Sequence, residues 1–155
     1  MSCDTIIFPY GITLREGGAL EIFPAAEISF SVPQKEWVTL FLIIDSGATI
    51  SALPKSDASV LGVDAERGRP ISIAGINGEV TPGWQHEHHV RIGEDAIKIP
   101  LAFLDNETSP RVLGRAGIFD RFIVIFEEQK KRSGFIGKNS KEAGAVSIIF
   151  DKLEK

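Results

Sequence analysis

The chain has 155 residues, of which 43% are hydrophobic and 25% charged, and this composition indicates one compact domain and excludes a mainly disordered chain. A net charge of −4 argues against a nucleic-acid binder or a protein of anionic membranes. The single cysteine, Cys3, excludes an internal disulfide and fits a reducing compartment. No basic leader precedes the first apolar run, and the longest such run is too short to span a membrane. If Met1 is the natural start, the sequence therefore predicts a cytoplasmic protein.

Short strands separated by turn residues are predicted along the whole chain, because apolar residues recur every second position between Gly, Pro and Asn. In chain order, the predicted strands are 6–14, 19–23, 27–32, 37–44, 51–54, 71–73, 79–80, 90–92, 97–103, 111–114, 122–126, 134–136 and 145–150. Helical turns are predicted at 55–61, and the one clear helix at 116–121. Strand 37–44 is almost continuously apolar, which predicts that both of its faces are covered.

Glycine-containing turns join neighbouring strands into hairpins. Residues 16–18 and 93–95 are two such turns. Asn77-Gly78 is the strongest hairpin signal, because both positions of that turn type need a positive φ. The pattern predicts an all-β fold, a small closed barrel with one short helix in the C-terminal half, forming one domain over 1–155.

A carboxylate follows the most apolar strand directly. Asp45 comes after Ile44 and is followed by Ser46 and Gly47. Placing a charge at the end of an apolar strand is costly unless the charge has a use. As an isolated tripeptide, Asp-Ser-Gly is also common in ordinary turns.

Three motifs in a fixed order indicate that this tripeptide is part of a functional site. Residues 43–48, with two apolar residues before Asp-Ser-Gly-Ala, resemble the active-site loop of retropepsin-like aspartic peptidases. Residues 73–78 lie where that family has its flap hairpin, and Arg-Val-Leu-Gly-Arg at 111–115 resembles its second signature. The resemblance covers about 27–137 and implies an aspartic endopeptidase with a retropepsin-like barrel. It leaves an N-terminal hairpin extension (1–26) and a tail (138–155) predicted to be a strand.

The chemistry of this family requires two carboxylates that share one proton, since two like charges so close cannot both ionise. The sequence has one Asp-Ser-Gly and no second Asp-Thr/Ser-Gly. The partner of the catalytic Asp45 must then come from a second copy, so the resemblance implies a homodimer that acts on a peptide or protein without a cofactor.

The resemblance also assigns roles to other positions. The active-site loop comprises the catalytic Asp45 with Ser46, Gly47 and Ala48, where Ser46 bonds across the dimer axis and the Gly47 carbonyl meets the substrate backbone. Leu113 and Gly114 support this loop from below, and Arg115 forms structural ion pairs. The flap residues implied to contact substrate are Gly75, Ile76, Asn77 and Gly78.

The chain departs from the viral pattern beside the active-site loop. Viral enzymes have an acidic residue directly after the Gly-Ala pair, whereas Thr49 and Ile50 follow here. This change removes a substrate-binding carboxylate and the usual partner of Arg115, so the specificity of the family does not transfer.

Two alternatives to the peptidase stay open. One is a dimeric peptide-binding module that keeps the fold without proteolysis. The other is a metal-dependent hydrolase at His86, His88 and His89, where a His-x-His pair could hold zinc only with a third ligand from elsewhere. An exposed strand returning from the flap explains these histidines more simply.

Overall fold

The structure, a computed structural model, describes residues 5–154 except for the side chain of Lys35. Twelve strands form in the described residues: β1 (Ile6–Pro9), β2 (Gly11–Leu14), β3 (Leu20–Phe23), β4 (Ala25–Val32), β5 (Glu36–Ile44), β6 (Ser51–Pro54), β7 (Arg69–Ala74), β8 (Val80–Ile92), β9 (Asp95–Leu104), β10 (Val112–Leu113), β11 (Phe122–Glu127) and β12 (Arg132–Gly137). Two helices join them, α1 (Ser56–Val60) and α2 (Lys141–Leu153), with short 3₁₀ turns at Pro33–Lys35, Ala65–Arg67 and Glu128–Lys130.

Seven strands form the main sheet in the order β4-β5-β10-β6-β9-β8-β7. A further pairing of β4 with β8 closes six of them into a barrel, which confirms the predicted all-β barrel. The strand β10 lies between β5 and β6, parallel to β5 at Leu113 and Ile44 and antiparallel to β6 at Val112 and Ala52. The sheet thereby brings residues from the last third of the chain beside the end of β5.

A smaller sheet, β1-β12-β11, packs against the barrel. Phe8 and Phe122 contact Phe135 edge to face, at centroid distances of 5.3 and 5.9 Å. The same core continues into the barrel through Phe30, Phe103 and their neighbours, which are fully buried. Strands β2 and β3 form a separate hairpin, as predicted.

Four local predictions are wrong. Residues 116–121 form turns rather than a helix, because Gly117 has a φ of +77° and a Cβ there would lie 2.8 Å from Ile99. Residues 145–150 belong to α2 and not to a strand, so the tail is helical. Segment 37–44 is covered on one face only, since Phe41 is 61% exposed. The segment 6–14 is split at Tyr10, after which the chain leaves the β12 ladder.

Within residues 5–154, no helix is long and apolar enough to cross a membrane. The assignment of 1–155 to one domain stays a prediction.

Candidate active site

The backbone of Asp45 is clamped where β5 ends. The Ile44 N–H donates to the Pro24 carbonyl, and the Asp45 N–H donates to the Leu113 carbonyl, both at 3.0 Å. Within the loop, the Gly47 N–H donates to Asp45 Oδ1 at 2.8 Å. This hydrogen bond holds one carboxylate oxygen in place. Asp45, Ser46 and Gly47 are all exposed in the single chain.

Gly114 crosses directly beneath the active-site loop. A Cβ at this position would overlap the carbonyl group of Ile50 and would lie 2.8 Å from the Ser51 nitrogen. The Gly114 N–H donates to the fully buried Ser51 Oγ at 3.0 Å. Only glycine allows two backbone segments to approach this closely.

The residues after Gly114 continue the clamp through their backbone. The Arg115 N–H donates to the Ala48 carbonyl at 3.0 Å, and the Ala116 N–H donates to the Thr49 carbonyl at 2.9 Å. The side chain of Arg115 is exposed and forms no ion pair among the described residues. This segment therefore holds the loop through main-chain hydrogen bonds rather than through the arginine charge.

The ion pair that lies near this clamp was not predicted. Arg111 donates from Nε and a terminal nitrogen to the two Asp57 oxygens at 2.7 and 2.8 Å. Asp57 is buried, and its hydrogen bond raises the pKa of the Arg111 guanidinium. The Arg111 carbonyl also accepts from the Ile43 N–H at 2.9 Å. This pair ties α1 to the strand entry that leads into Gly114.

The flap is the turn between β7 and β8. The Gly75 N–H donates to the Glu79 carbonyl at 2.8 Å, and the Gly78 N–H donates to the Gly75 carbonyl at 3.0 Å. Ile76 at the tip is fully exposed. Gly78 alone has a positive φ, +80°, so the prediction that Asn77 also adopts one is wrong. Asn77 instead accepts the Glu79 N–H on its side-chain oxygen at 3.1 Å.

A cleft of about 720 Å³ separates the Asp45 loop from the flap. Predicted residues in its lining are Asp45, Gly47, Ala48, Gly75 and Ile76, whereas Ser46, Asn77, Gly78, Leu113, Gly114 and Arg115 lie outside it. Among the residues that the structure describes, Asp45 is the only charged one in the lining. The volume is in the range of sites that bind small molecules or short peptide segments.

An apolar wall of the cleft was missed from the sequence. Ile71 and Ile73 pack from β7 onto a small buried cluster that contains Leu104, and Val112 adds to the same lining. The signal was present, because residues 71 and 73 of a strand point to one face, directly before the flap. Leu104 and Val112 are brought there by sheet pairing and carry no local signal.

The prediction that the three histidines of β8 lie on an exposed strand is wrong for His86 and His88, which bond to backbone carbonyls, whereas His89 is exposed. The Nε2–H of His88 donates to the Ser31 carbonyl at 2.8 Å, and that of His86 donates to the Ala65 carbonyl at 2.8 Å, since a carbonyl only accepts. His88 is buried, and burial lowers its pKa. Over the described part of the chain, no three His, Cys, Asp or Glu side chains are grouped to hold a metal ion.

The chain matches one protein family and is similar in fold to solved structures. The family model described as gag-polyprotein putative aspartyl protease matches residues 37–116, which contain the Asp45 loop, the flap and Gly114. The fold is similar to the crystal structure of a retropepsin-like aspartic protease from Rickettsia conorii, with a TM-score of 0.55 and 22% identity over 84% of this chain and 97% of that chain. EIAV protease complexed with the inhibitor HBY-793 gives a TM-score of 0.46 and 20% identity over 60% of this chain and 82% of that one. No curated protein matches the sequence.

Proposed function

The chain belongs to the gag-polyprotein aspartyl protease family, and we propose that it is an aspartic endopeptidase whose catalytic pair consists of Asp45 from each of two copies. The observation that carries this proposal is the single carboxylate in the cleft between the loop and the flap. One chain thus supplies half of the pair that the chemistry requires.

The reaction follows from the two carboxylates. In the free enzyme they share one proton, because both cannot ionise at such a short distance. The ionised Asp45 takes a proton from a water molecule as that water attacks the scissile carbonyl. The protonated Asp45 of the other copy donates to the developing oxyanion, which gives a gem-diol. As the C–N bond breaks, the first Asp45 gives the proton it took from water to the leaving amine, and the second Asp45 takes a proton back from the gem-diol as the carboxylic acid forms. The hydrogen bond from Gly47 to Oδ1 leaves Oδ2 for the water.

Exposure of the loop supports a dimer. Asp45, Ser46 and Gly47 are clamped from behind by Leu113 and are exposed on the other side, where a two-fold related loop would pack. In that arrangement Ser46 bonds across the axis and the Gly47 carbonyl meets the substrate backbone. The open edge of β11 offers a further strand-pairing surface among the described residues.

The flap and the apolar wall then bind the peptide. The expected free amides of Gly75 and Gly78 donate within the turn instead, so the amide of Ile76 at the tip is the one of these three that contacts the peptide backbone when the flap closes. Ile71 and Ile73 receive apolar side chains beside the scissile bond. Thr81 and Gln85, also in the lining, are the polar side chains of β8 that a substrate amide meets there, although the Gln85 oxygen also accepts from Arg69 at 2.9 Å.

The test is a peptide-library digest with wild type beside Asp45→Asn. Asparagine keeps the size of the side chain and cannot act as the base, so the variant should fold and dimerise and should lose cleavage. A variant that folds and cleaves at the wild-type rate would refute the assignment of Asp45. Cleavage by neither protein, with peptides still bound, would favour the non-proteolytic binding module.

Mixed dimers test whether the pair is shared. When equal amounts of wild type and Asp45→Asn are refolded together, random pairing leaves roughly a quarter of the dimers fully wild type. The mixture should then show about a quarter of the activity of the same total amount of wild type. A value of about half would mean that each chain has its own complete site.

A further inference from the structure

The β2–β3 hairpin has an uncovered apolar face. Ile12 lies opposite Ile22, and Leu14 lies opposite Leu20, so all four side chains share one face. Their exposures are 49–70%. An isolated two-stranded hairpin is marginal in water and needs further strands or a helix packed on its apolar face. The described structure supplies neither.

Helix α2 has an uncovered apolar stripe. Ser140 caps the start of the helix, because its hydroxyl accepts the Ala143 N–H at 3.1 Å. Ala143 is the buried residue through which the helix contacts the rest of the chain. Beyond this first turn, the apolar stripe continues through Val146, Ile149, Phe150 and Leu153 at spacings of three and four residues. Phe150 is 62% exposed and Leu153 is 78% exposed. The stripe has no cover along its last two turns.

The hairpin face and the helical stripe are both apolar and have similar lengths. Four residues of a strand span roughly 13 Å, and the helical stripe from 146 to 153 spans roughly 10 Å. A helix laid on a two-stranded hairpin is the smallest layered unit that covers both. Both surfaces are exposed in the same chain, so its own helix does not cover its own hairpin.

We infer that the apolar face of the β2–β3 hairpin binds helix α2 of a second copy, and that the two copies exchange this contact reciprocally. The inference rests on the homodimer of the proposed function. It assigns residues outside the family match, 11–23 and 141–153, to the dimer interface.

The buried area favours the reciprocal arrangement. The eight side chains of the two surfaces each have on the order of 100 Å² of apolar surface, and most are more than half exposed. One helix on one hairpin would then bury roughly 500 Å², and two such contacts would bury roughly 1,000 Å². The buried area of the two reciprocal contacts reaches the lower bound for a specific interface, whereas the area of a single contact does not.

The charges of α2 argue against a membrane as the occupant. The charged residues of α2 and its C-cap are Lys141 and Lys152 beside Glu142, Asp151 and Glu154, which leaves one excess negative charge. Helices that lie on anionic membranes have an excess of Lys and Arg there. Mixed signs around an apolar stripe are instead typical of helices that pack on protein.

Cysteine pairs in the full-length chain test the contact, in a Cys3→Ser background. Leu20→Cys and Phe150→Cys proteins, refolded together and oxidised, should form a disulfide-linked dimer at least about tenfold faster than either protein alone. Thr13→Cys, on the opposite face of the hairpin, is the matched control and should not crosslink to Phe150→Cys. Faster crosslinking of Phe150→Cys to itself, or of Leu20→Cys to itself, would overturn the inference. So would a monomeric product when both cysteines are in one chain.

Charge substitutions give a second measurement. Leu20→Asp and Phe150→Asp should each raise the dissociation constant of the dimer at least about tenfold in sedimentation, whereas Thr13→Asp should not. Unchanged dissociation, or wild-type binding to phosphatidylcholine vesicles that Phe150→Asp abolishes, would contradict the inference. If these tests fail while the Asp45→Asn mixture still shows a quarter of the activity, the proposed function stands and this interface alone is wrong.

Discussion

Replacing Gly114 by alanine puts a methyl group into the backbone of Ile50. The added Cβ would overlap the Ile50 carbonyl group and approach the Ser51 nitrogen to 2.8 Å. Neither neighbour is a flexible side chain, so the strands themselves have to separate. The buried hydrogen bond from Gly114 to Ser51 Oγ lengthens with them.

The two costs can be estimated separately. Forcing an extra methyl group into a packed interior costs about 1–3 kcal/mol, and backbone neighbours put this case at the upper end. Leaving a buried donor or acceptor without its partner costs a further ~1–3 kcal/mol. We expect Gly114→Ala to lower the free energy of unfolding by about 4 kcal/mol, allowing for overlap between the two effects.

Urea unfolding followed by the fluorescence of Trp37 and Trp84 measures this loss. At a slope of about 2 kcal/mol per M, the midpoint should fall by about 2 M. Gly144→Ala is the matched control, because a Cβ at this position would meet nothing within 4 Å apart from its own helix, and alanine favours a helix. Its midpoint should therefore not fall. Both variants are compared at one protein concentration, since dimerisation shifts apparent stability. A Gly114→Ala midpoint within ~0.3 M of wild type would refute the close-crossing argument.

Three further outcomes are expected. Gly75→Val should slow turnover and leave the free energy of unfolding unchanged, because it stiffens an exposed turn. Arg111→Met should lower the free energy of unfolding by about 3 kcal/mol, since it leaves the buried Asp57 carboxylate without its partner. The free energy of unfolding should fall as the pH drops below about 6.5, because burial lowers the pKa of His88 and protonation then favours the unfolded chain. His88→Gln should reduce this loss, whereas His89→Gln, on the exposed face of the strand, should not.

Each of these outcomes has a contrary result. Unchanged turnover of Gly75→Val on several peptides would contradict a gating flap. Arg132→Met removes an exposed ion pair with Glu127 and should cost less than about 1 kcal/mol, so an equal loss for both arginine variants would contradict the importance of burial. A pH dependence identical in wild type and His88→Gln would assign the acid loss to other groups.

The elements predicted correctly are those whose signal is local. The loop at Asp45 follows an apolar strand, and Gly78 supplies the positive φ of the flap turn. Gly93 does the same between β8 and β9, although the turn is one residue shorter than expected because Asp95 pairs with Ile92. At such positions the residue type alone restricts the backbone.

The errors arose where one pattern fits two structures. The apolar run 145–150 is so short that its periodicity fits a strand and a helix equally well. The Ser140 cap stabilises the helical alternative. Residues 116–121 look helical until Gly117 adopts its positive φ to pass Ile99. Phe41 looks buried by type, yet the single chain provides nothing to cover it. Each outcome depends on tertiary contacts that no local window contains.

The hydrogen bond from Asp45 to the Leu113 carbonyl also affects the order in which a newly made chain can fold. The Asp-Ser-Gly turn is synthesised before its clamp, residues 113–116. A ribosome-bound chain that ends before residue 111 has the Asp45 carboxylate without the backbone that orients it. Contacts so distant in sequence form late, so the Asp45 loop is oriented only after the strands between the loop and its clamp are in place. Under the proposed function, a growing chain would lack an oriented carboxylate until residue 116 has left the ribosome.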